Sequence, residues 1–329
     1  MAESDRRPVR PEYLRQCAGT SRGIALVLVL WVLTLLTVMA VGMTAAQRTE
    51  TALTENLIAD ARFRALADAA ITYTVYNFIA PPAGEGLATG GKLGQANADL
   101  PPPWLPNGAP RPWGFDGKRL TIAVSNEQSR INLNQAPAEV LAALLKALGV
   151  EEEPAMAIAD AISDFRDGDD LKLMHGAEDA DYQEAGRALG AKDAPFVAVE
   201  ELQQVLGVNR ALYRLLAPEV TVDTASRQVD QTFASAAVLA ALQGIPLDQA
   251  AIQLQQRDEQ ALAGAPGTVA VNRGGPLYRI QVKEQGGAGT ARAMEALVEI
   301  SPGRSPPFRV HWRRFGLIAP PPVVPKDNG

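Results

Sequence analysis

Cysteine is nearly absent: Cys17 is the one such residue in 329. It precedes a long apolar run, so no disulfide can form beyond that run, and a domain of this size has to be held by its core. Histidine is almost as scarce. His175 and His311 are the two present, and their separation gives poor support to a His-based active site or a multi-His metal centre. Positive charge is in deficit, with 31 Lys and Arg against 37 Asp and Glu and a net charge of −6. Neutralising phosphates needs clustered bases, so a nucleic-acid partner is disfavoured. What is present is a normal apolar fraction, 47%, and a length that suits roughly two domains.

From Ile24 to Ala46 the chain carries no charge. At ~1.5 Å per residue a helix of this run spans roughly 35 Å, enough to cross a bilayer core. Arg6, Arg7, Arg10, Arg15 and Arg22 precede it, whereas the bases beyond it are mixed with Glu50, Glu55, Asp60 and Asp68. The positive-inside rule then puts the N-terminus in the cytoplasm and the long C-terminal part outside. A cleaved secretory signal is the plain alternative, with Ala40-Val41-Gly42 and Thr44-Ala45-Ala46 as cleavage candidates. Its apolar region should span about 7–15 residues, and this one is longer. Thr49 to Ala80 also holds no Gly and no Pro. Leu53, Leu57, Ala61, Ala65 and Ala69, with Ile58, Leu66 and Tyr73 beside them, predict an apolar stripe at helical spacing. Pro81-Pro82 ends it. The expectation is one rod, half in lipid and half packed on a folded head.

A basic leader, then Gly23, then an uncharged helix that runs on as an amphipathic one resembles the signature of type IV pilins and pseudopilins. The resemblance implies that a prepilin peptidase cuts between Gly23 and Ile24 and that Ile24 becomes an N-methylated mature terminus. The family's glutamate at the fifth mature position is replaced here by Leu28. That departure resembles general secretion protein K, the minor pseudopilin of the type II secretion system. A lone carboxylate in a lipid-like core is costly, and a tip subunit has no neighbour above it to pair with one.

Ala83 to Pro112 is dense in Gly and Pro and reads as a surface strap. Leu120 to Val124 reads as a strand. A helix is predicted from Pro137, with Asn134 nearby as a cap candidate, Glu139 in the first turn, and Val140, Leu141, Leu144, Leu145 and Leu148 as its apolar face. A second runs from Pro154 to Phe165 with Met156, Ile158, Ile162 and Phe165 inward. This hairpin recurs. Val229–Ile245 aligns without gaps on Ile131–Ala147, and both contain Val-Leu-Ala-Ala-Leu. Gln256-Arg257-Asp258 then follows as Phe165-Arg166-Asp167 does, so an internal duplication is predicted. Two short helices fall between the copies. Pro276 to Phe315 alternates, predicting three antiparallel strands with turns at Gly286-Gly287 and Pro302-Gly303. From Leu317 the chain reads as a tail.

The expected fold is α+β. A pseudopilin fold, a long N-terminal helix on an antiparallel sheet, carries a large inserted all-α domain with two helix-hairpin-helix-like repeats. Boundaries fall at 1–23 (leader), 24–46 (membrane part of the helix), 47–127 (rest of the helix, loop and first strand), 128–265 (inserted domain), 266–316 (C-terminal strands) and 317–329 (tail). The resemblance rests most on Ile131-Asn132-Leu133-Asn134, the acidic run Asp164 to Asp181, and the helix before Val205-Leu206-Gly207.

The acidic run holds Asp164, Asp167, Asp169, Asp170, Glu178, Asp179 and Asp181. Hard oxygen ligands in a loop that Gly168 allows to turn suit Ca²⁺. The spacing is not that of an EF-hand, and composition alone reads as a solvated acidic loop. The resemblance to protein K implies a structural calcium site here, with Phe165 standing where the family has tryptophan. Paired carboxylates can do acid–base work, but no nucleophile accompanies them, so no enzyme is expected. The family resemblance implies minor pseudopilins I, J and H, the prepilin peptidase and an inner-membrane secretion platform as partners. It implies a single-pass inner-membrane protein with a periplasmic head, a tip role in which the bulky helical domain blocks further stacking, and no small-molecule substrate. The chief rival is a membrane-anchored helix-hairpin-helix protein that takes up DNA, but Glu151-Glu152-Glu153 at the first hairpin turn would repel phosphates. A third reading is a solute- or peptide-binding periplasmic domain on an anchor, a monomer indifferent to pseudopilins.

Overall fold

The computed structural model describes residues 21–79, 104–263, 273–284 and 291–318. The leader up to residue 20, most of the Gly/Pro-rich strap, the Gly286-Gly287 turn and the tail beyond residue 318 lie outside them. The chain divides into two compact units, Met1–Arg62 and Phe63–Gly329. Helix α1, Ser21–Ile79, contributes to both.

In the first unit every side chain from Ile24 to Thr44 is exposed, and the best 18-residue window has a mean hydropathy of 2.9. By length and composition the helix is long and apolar enough to cross a membrane. The hydroxyls within it are satisfied internally. Thr34, Thr37 and Thr44 donate to the carbonyls of Leu30, Leu33 and Ala40 at 2.7, 2.7 and 2.8 Å.

In the second unit, α1 from Phe63 onward covers one face of a five-stranded antiparallel sheet of order β1-β2-β5-β6-β7. The strands are β1 (Arg111–Phe115), β2 (Lys118–Asn126), β5 (Leu277–Glu284), β6 (Ala291–Ile300) and β7 (Phe308–Ile318). Alternation decides the inward face: Leu120, Ile122, Val124, Ile280, Val282, Met294, Val298 and Ile300 are buried against α1. The helix meets them with Phe63, Ala67, Ala70, Ile71, Val75 and Phe78. Of the predicted stripe Leu66 packs against this cluster, and the rest is corrected. Leu53, Leu57, Ile58 and Tyr73 are 58%, 68%, 46% and 41% exposed. Alanines recur on several faces of this helix, so the bulky Phe63 and Phe78 select the buried one.

Two further corrections concern strands. Arg111 and Pro112, predicted as strap, are the start of β1. Proline is tolerated there because β1 is an edge strand and needs no N–H on its outer side. β1 turns into β2 through Asp116 and Gly117, both at positive φ (50° and 70°), as a two-residue hairpin requires. At the other end β7 runs to Ile318, past the predicted tail boundary at Leu317.

Between β2 and β5 the chain builds a helical body with its own apolar cluster. It holds α2 (Ala138–Ala147), α3 (Glu152–Arg166), α4 (Asp179–Glu184), α5 (Arg210–Leu216), α6 (Ala236–Gln243) and α7 (Leu247–Ala263). The body is not purely helical. A short parallel pair, β3 (Ile131–Asn132) and β4 (Val220–Thr221), ties the entry of α2 to the exit of α5. The first of the two short helices predicted between the hairpins is a 3-10 turn, Val199–Gln203. Ile158, Ile162 and Phe165 face inward as predicted, but Met156 is 37% exposed. Asn134 does not cap α2, whose N-cap is Pro137. It exchanges two bonds with the Phe196 backbone, at 2.9 and 2.8 Å.

Leu144 on α2 is fully buried in this cluster, and α2 packs on both α3 and α6. Leu144→Ala is expected to destabilise the helical body by about 2–5 kcal/mol through lost transfer energy and the residual cavity. Chemical denaturation followed by circular dichroism measures it, and a cost below about 0.5 kcal/mol would contradict the packing described.

Candidate functional site

Asp160 and Asp164 lie one turn apart on α3, and the loop after the helix folds back over both. The amide of His175 donates to Asp160 at 3.2 Å. Ala177 donates to Asp164 Oδ2 at 2.9 Å, and Leu173 donates to the same carboxylate at 3.3 Å. Asp164 is fully buried. Gly176 makes this possible: a Cβ there would stand 1.8 Å from Asp164 Oδ2. Asp167 ends α3 as its C-cap, and Glu178 is the N-cap of α4. One oxygen of each, Asp167 Oδ1 and Glu178 Oε1, is buried without a hydrogen-bond partner among the described residues.

Those orphaned oxygens sit in a field of like charge. Burial pushes the carboxyls of Asp164 and Asp167 upward. Glu178 is pushed up to about 7, first by burial and then by Asp164, Asp167, Asp193 and Asp170. Crowded carboxylates favour a proton or a cation between them.

The structure thus brings Asp164, Asp167, Asp169, Asp170 and Glu178 into one electrostatic neighbourhood and gives Asp179 and Asp181 other neighbours. Asp181 pairs with Lys172, which is the main cause of its lowered pKa, and accepts the Glu178 amide at 3.0 Å. Asp169 accepts the amide of Leu171 at 2.9 Å and still stands close enough to Asp167 to push its carboxyl upward. Asp179 lies against Gly190, where a Cβ would be 1.7 Å from its Oδ1. Among the described residues no three of these side chains stand as a ready metal cage. The donors do fit a hard cation, being all oxygen, partly orphaned and mutually repelling. Sequence reasoning missed Asp193 and Asp160. Asp193 sits at positive φ, 53°, far along the chain from α3, and only the folded loop brings it in. Asp160 is one helical turn before Asp164, a spacing that could have flagged it. Of the predicted processing pair, both Gly23 and Ile24 fall at the start of α1.

Residues 120–225, from β2 through the acidic loop to β4, match the family model for the type II secretion system, protein K. This stretch resembles protein K of the type II secretion system. Among similar proteins, the "Type II secretion system protein K" of Pectobacterium carotovorum subsp. carotovorum is 31% identical over 155 residues, which is 45% of this chain and 47% of that one. The protein K of Dickeya chrysanthemi is 37% identical over 129 residues, 37% of this chain and 35% of that one. The matched stretches thus span less than half the length of these relatives. A chain from the crystal structure of the GspK-GspI-GspJ complex of the enterotoxigenic Escherichia coli Type 2 Secretion System aligns with a TM-score of 0.44 and 19% identity. The alignment covers 63% of this chain and 83% of that one. The stretch similar to protein K therefore contains the candidate acidic site, and the apolar part of α1 that precedes it fits a membrane anchor.

Proposed function

We propose that this chain is a minor pseudopilin of a type II secretion system, seated at the tip of its pseudopilus, where it initiates and caps filament assembly. One observation carries the reading: a stretch similar to protein K follows an exposed apolar helix whose continuation packs on an antiparallel sheet. In this reading a prepilin peptidase cuts between Gly23 and Ile24. The exposed Ile24–Thr44 surface then passes from inner-membrane lipid to the apolar core of the filament. The chain is single-pass with a periplasmic head, and its partners are minor pseudopilins I, J and H and the inner-membrane platform. The helical body caps by bulk and performs no chemistry. Calcium binds at the acidic loop through Asp164, Asp167, Asp170, Glu178 and Asp193, neutralises their repulsion and stiffens the body.

The two hairpins, α2–α3 and α6–α7, are read as copies. Arg166 donates to the carbonyl of Ala136 at 2.6 Å, and Arg257 to that of Ala234 at 3.1 Å. Ala136 and Ala234 are aligned positions of the repeat, and so are the N-caps Pro137 and Ser235.

Mass spectrometry of the protein from a strain with an intact prepilin peptidase tests the assignment. The mature chain is expected to begin at Ile24, N-methylated, and to co-purify with pseudopilins I and J. A mature terminus beyond Ala40, or a monomer that ignores both partners, would overturn it.

A further inference from the structure

The two apolar clusters of the second unit, one in the helical body and one between α1 and the sheet, have no residue in common. Beside the buried Leu297 on the far face of the sheet, a set of polar contacts joins them. Asn107 Nδ2 donates to Asp258 at 3.1 Å, Asn126 Nδ2 to Asp230 at 2.7 Å, and Trp312 Nε1 to Asp223 at 3.3 Å. Arg314 on β7 pairs with Glu200. At the centre Arg279, on the middle strand β5, points away from α1. It meets Glu127, in the turn directly after β2, in a bidentate pair, with Nε to Oε2 at 2.8 Å and Nη2 to Oε1, and Glu127 in turn accepts from Thr221 on β4 of the helical body. Both residues are almost wholly buried. Asp223 and Glu295 stand 3.6 Å from the same guanidinium, Arg130 lies 3.6 Å from Glu127, and the Trp312 ring covers Arg279 at 5.4 Å.

A buried ion pair is weak evidence for stability, because desolvation offsets much of the Coulomb attraction. Its fork geometry does fix orientation, since two parallel bonds from a planar guanidinium admit one approach. An apolar seam would tolerate sliding at little cost, whereas this seam loses its pairing when either side turns.

We propose that the charged seam centred on Arg279 sets the orientation of the helical body on the sheet, and that opening it lets the body turn as a unit while both apolar clusters stay packed. This inference does not depend on the secretion role. The test uses the full chain in lipid nanodiscs, in a Cys17→Ser background, with spin labels at Lys118→Cys and Glu153→Cys. Both label sites are exposed, one on β2 and one on α3. Arg279→Lys keeps the charge and loses the fork; Glu127→Gln keeps the shape and loses the charge. Each is expected to at least double the width of the interspin distance distribution, with amide protection in β2, β5, α2 and α3 unchanged. An unchanged width would overturn the proposal. So would joint loss of protection in both clusters, which would make the seam part of one cooperative core.

Discussion

Chelating calcium is expected to lower the melting temperature of the helical body, and restoring it to raise that temperature again. If free calcium stands at 100 times its dissociation constant, linkage adds about 2.7 kcal/mol, or about 5–10 °C for a domain of this size. The sign with pH follows from Glu178. Its folded pKa, about 7, lies above the ordinary 4.5. Between those values the native state holds a proton that the unfolded chain has released. In chelator, therefore, stability falls as pH rises from about 4.5 through about 7, and it levels off above. Calcium binding needs the ionised carboxylate, so the stabilisation by calcium grows over the same window. Glu178→Gln removes one repelling charge and one ligand. It should raise the melting temperature in chelator at pH 8 and abolish most of the response to calcium. Differential scanning calorimetry across pH, with and without calcium, reads all of this. A melting temperature at pH 8 that ignores chelator would defeat the calcium assignment.

Legibility in the sequence followed how local the determining signal is. Strand alternation at Tyr278, Ile280 and Val282 is a property of three residues, and the strand is where it was expected. The helical hairpins follow from Pro137 and the repeated Val-Leu-Ala-Ala-Leu. The face of α1 was misread because alanines at 61, 65 and 69 satisfy a helical period without bulk, while Phe63 and Phe78 do the burying. The Asp116-Gly117 hairpin was legible in principle, yet Pro112 beside it suggested strap. The Arg279–Glu127 pair joins residues 152 positions apart and leaves no local trace.

The acidic site divides along the same line. Asp164 and Asp167 are set by the end of a helix whose apolar face is plain in the sequence. Their convergence with Glu178 and Asp193 depends on a loop held by backbone amides. Asp181 and Asp179 have the right composition and nearby places in the chain. Lys172 and the Glu178 amide claim Asp181, and Asp179 packs into the space that Gly190 leaves open. Residue type and spacing nominate ligands; the hydrogen bonds each side chain can already make decide which are left to bind a cation.

Two glycines in this loop separate site architecture from loop flexibility. Gly176→Ala is expected to be severe, because the new Cβ would fall 1.8 Å from Asp164 Oδ2 and 2.7 Å from its Cγ. Asp164 is fully buried and cannot swing into solvent, so either the carboxylate loses the amides of Ala177 and Leu173 or the loop lifts off α3. A buried polar group stripped of its partners costs roughly 1–3 kcal/mol, more when charged, and the displaced carboxylate no longer faces Asp167 and Glu178. Gly168→Ala changes the same residue type in the same loop, yet its nearest neighbour would be the Asp193 carbonyl at 3.9 Å, an ordinary contact. It should alter stability by no more than about 0.5 kcal/mol and leave calcium binding intact. Isothermal titration with calcium and denaturant melts on both variants give the comparison. Equal losses would mean that the loop binds through its mobility; a loss confined to Gly176→Ala would locate the site at the carboxylate that this glycine admits.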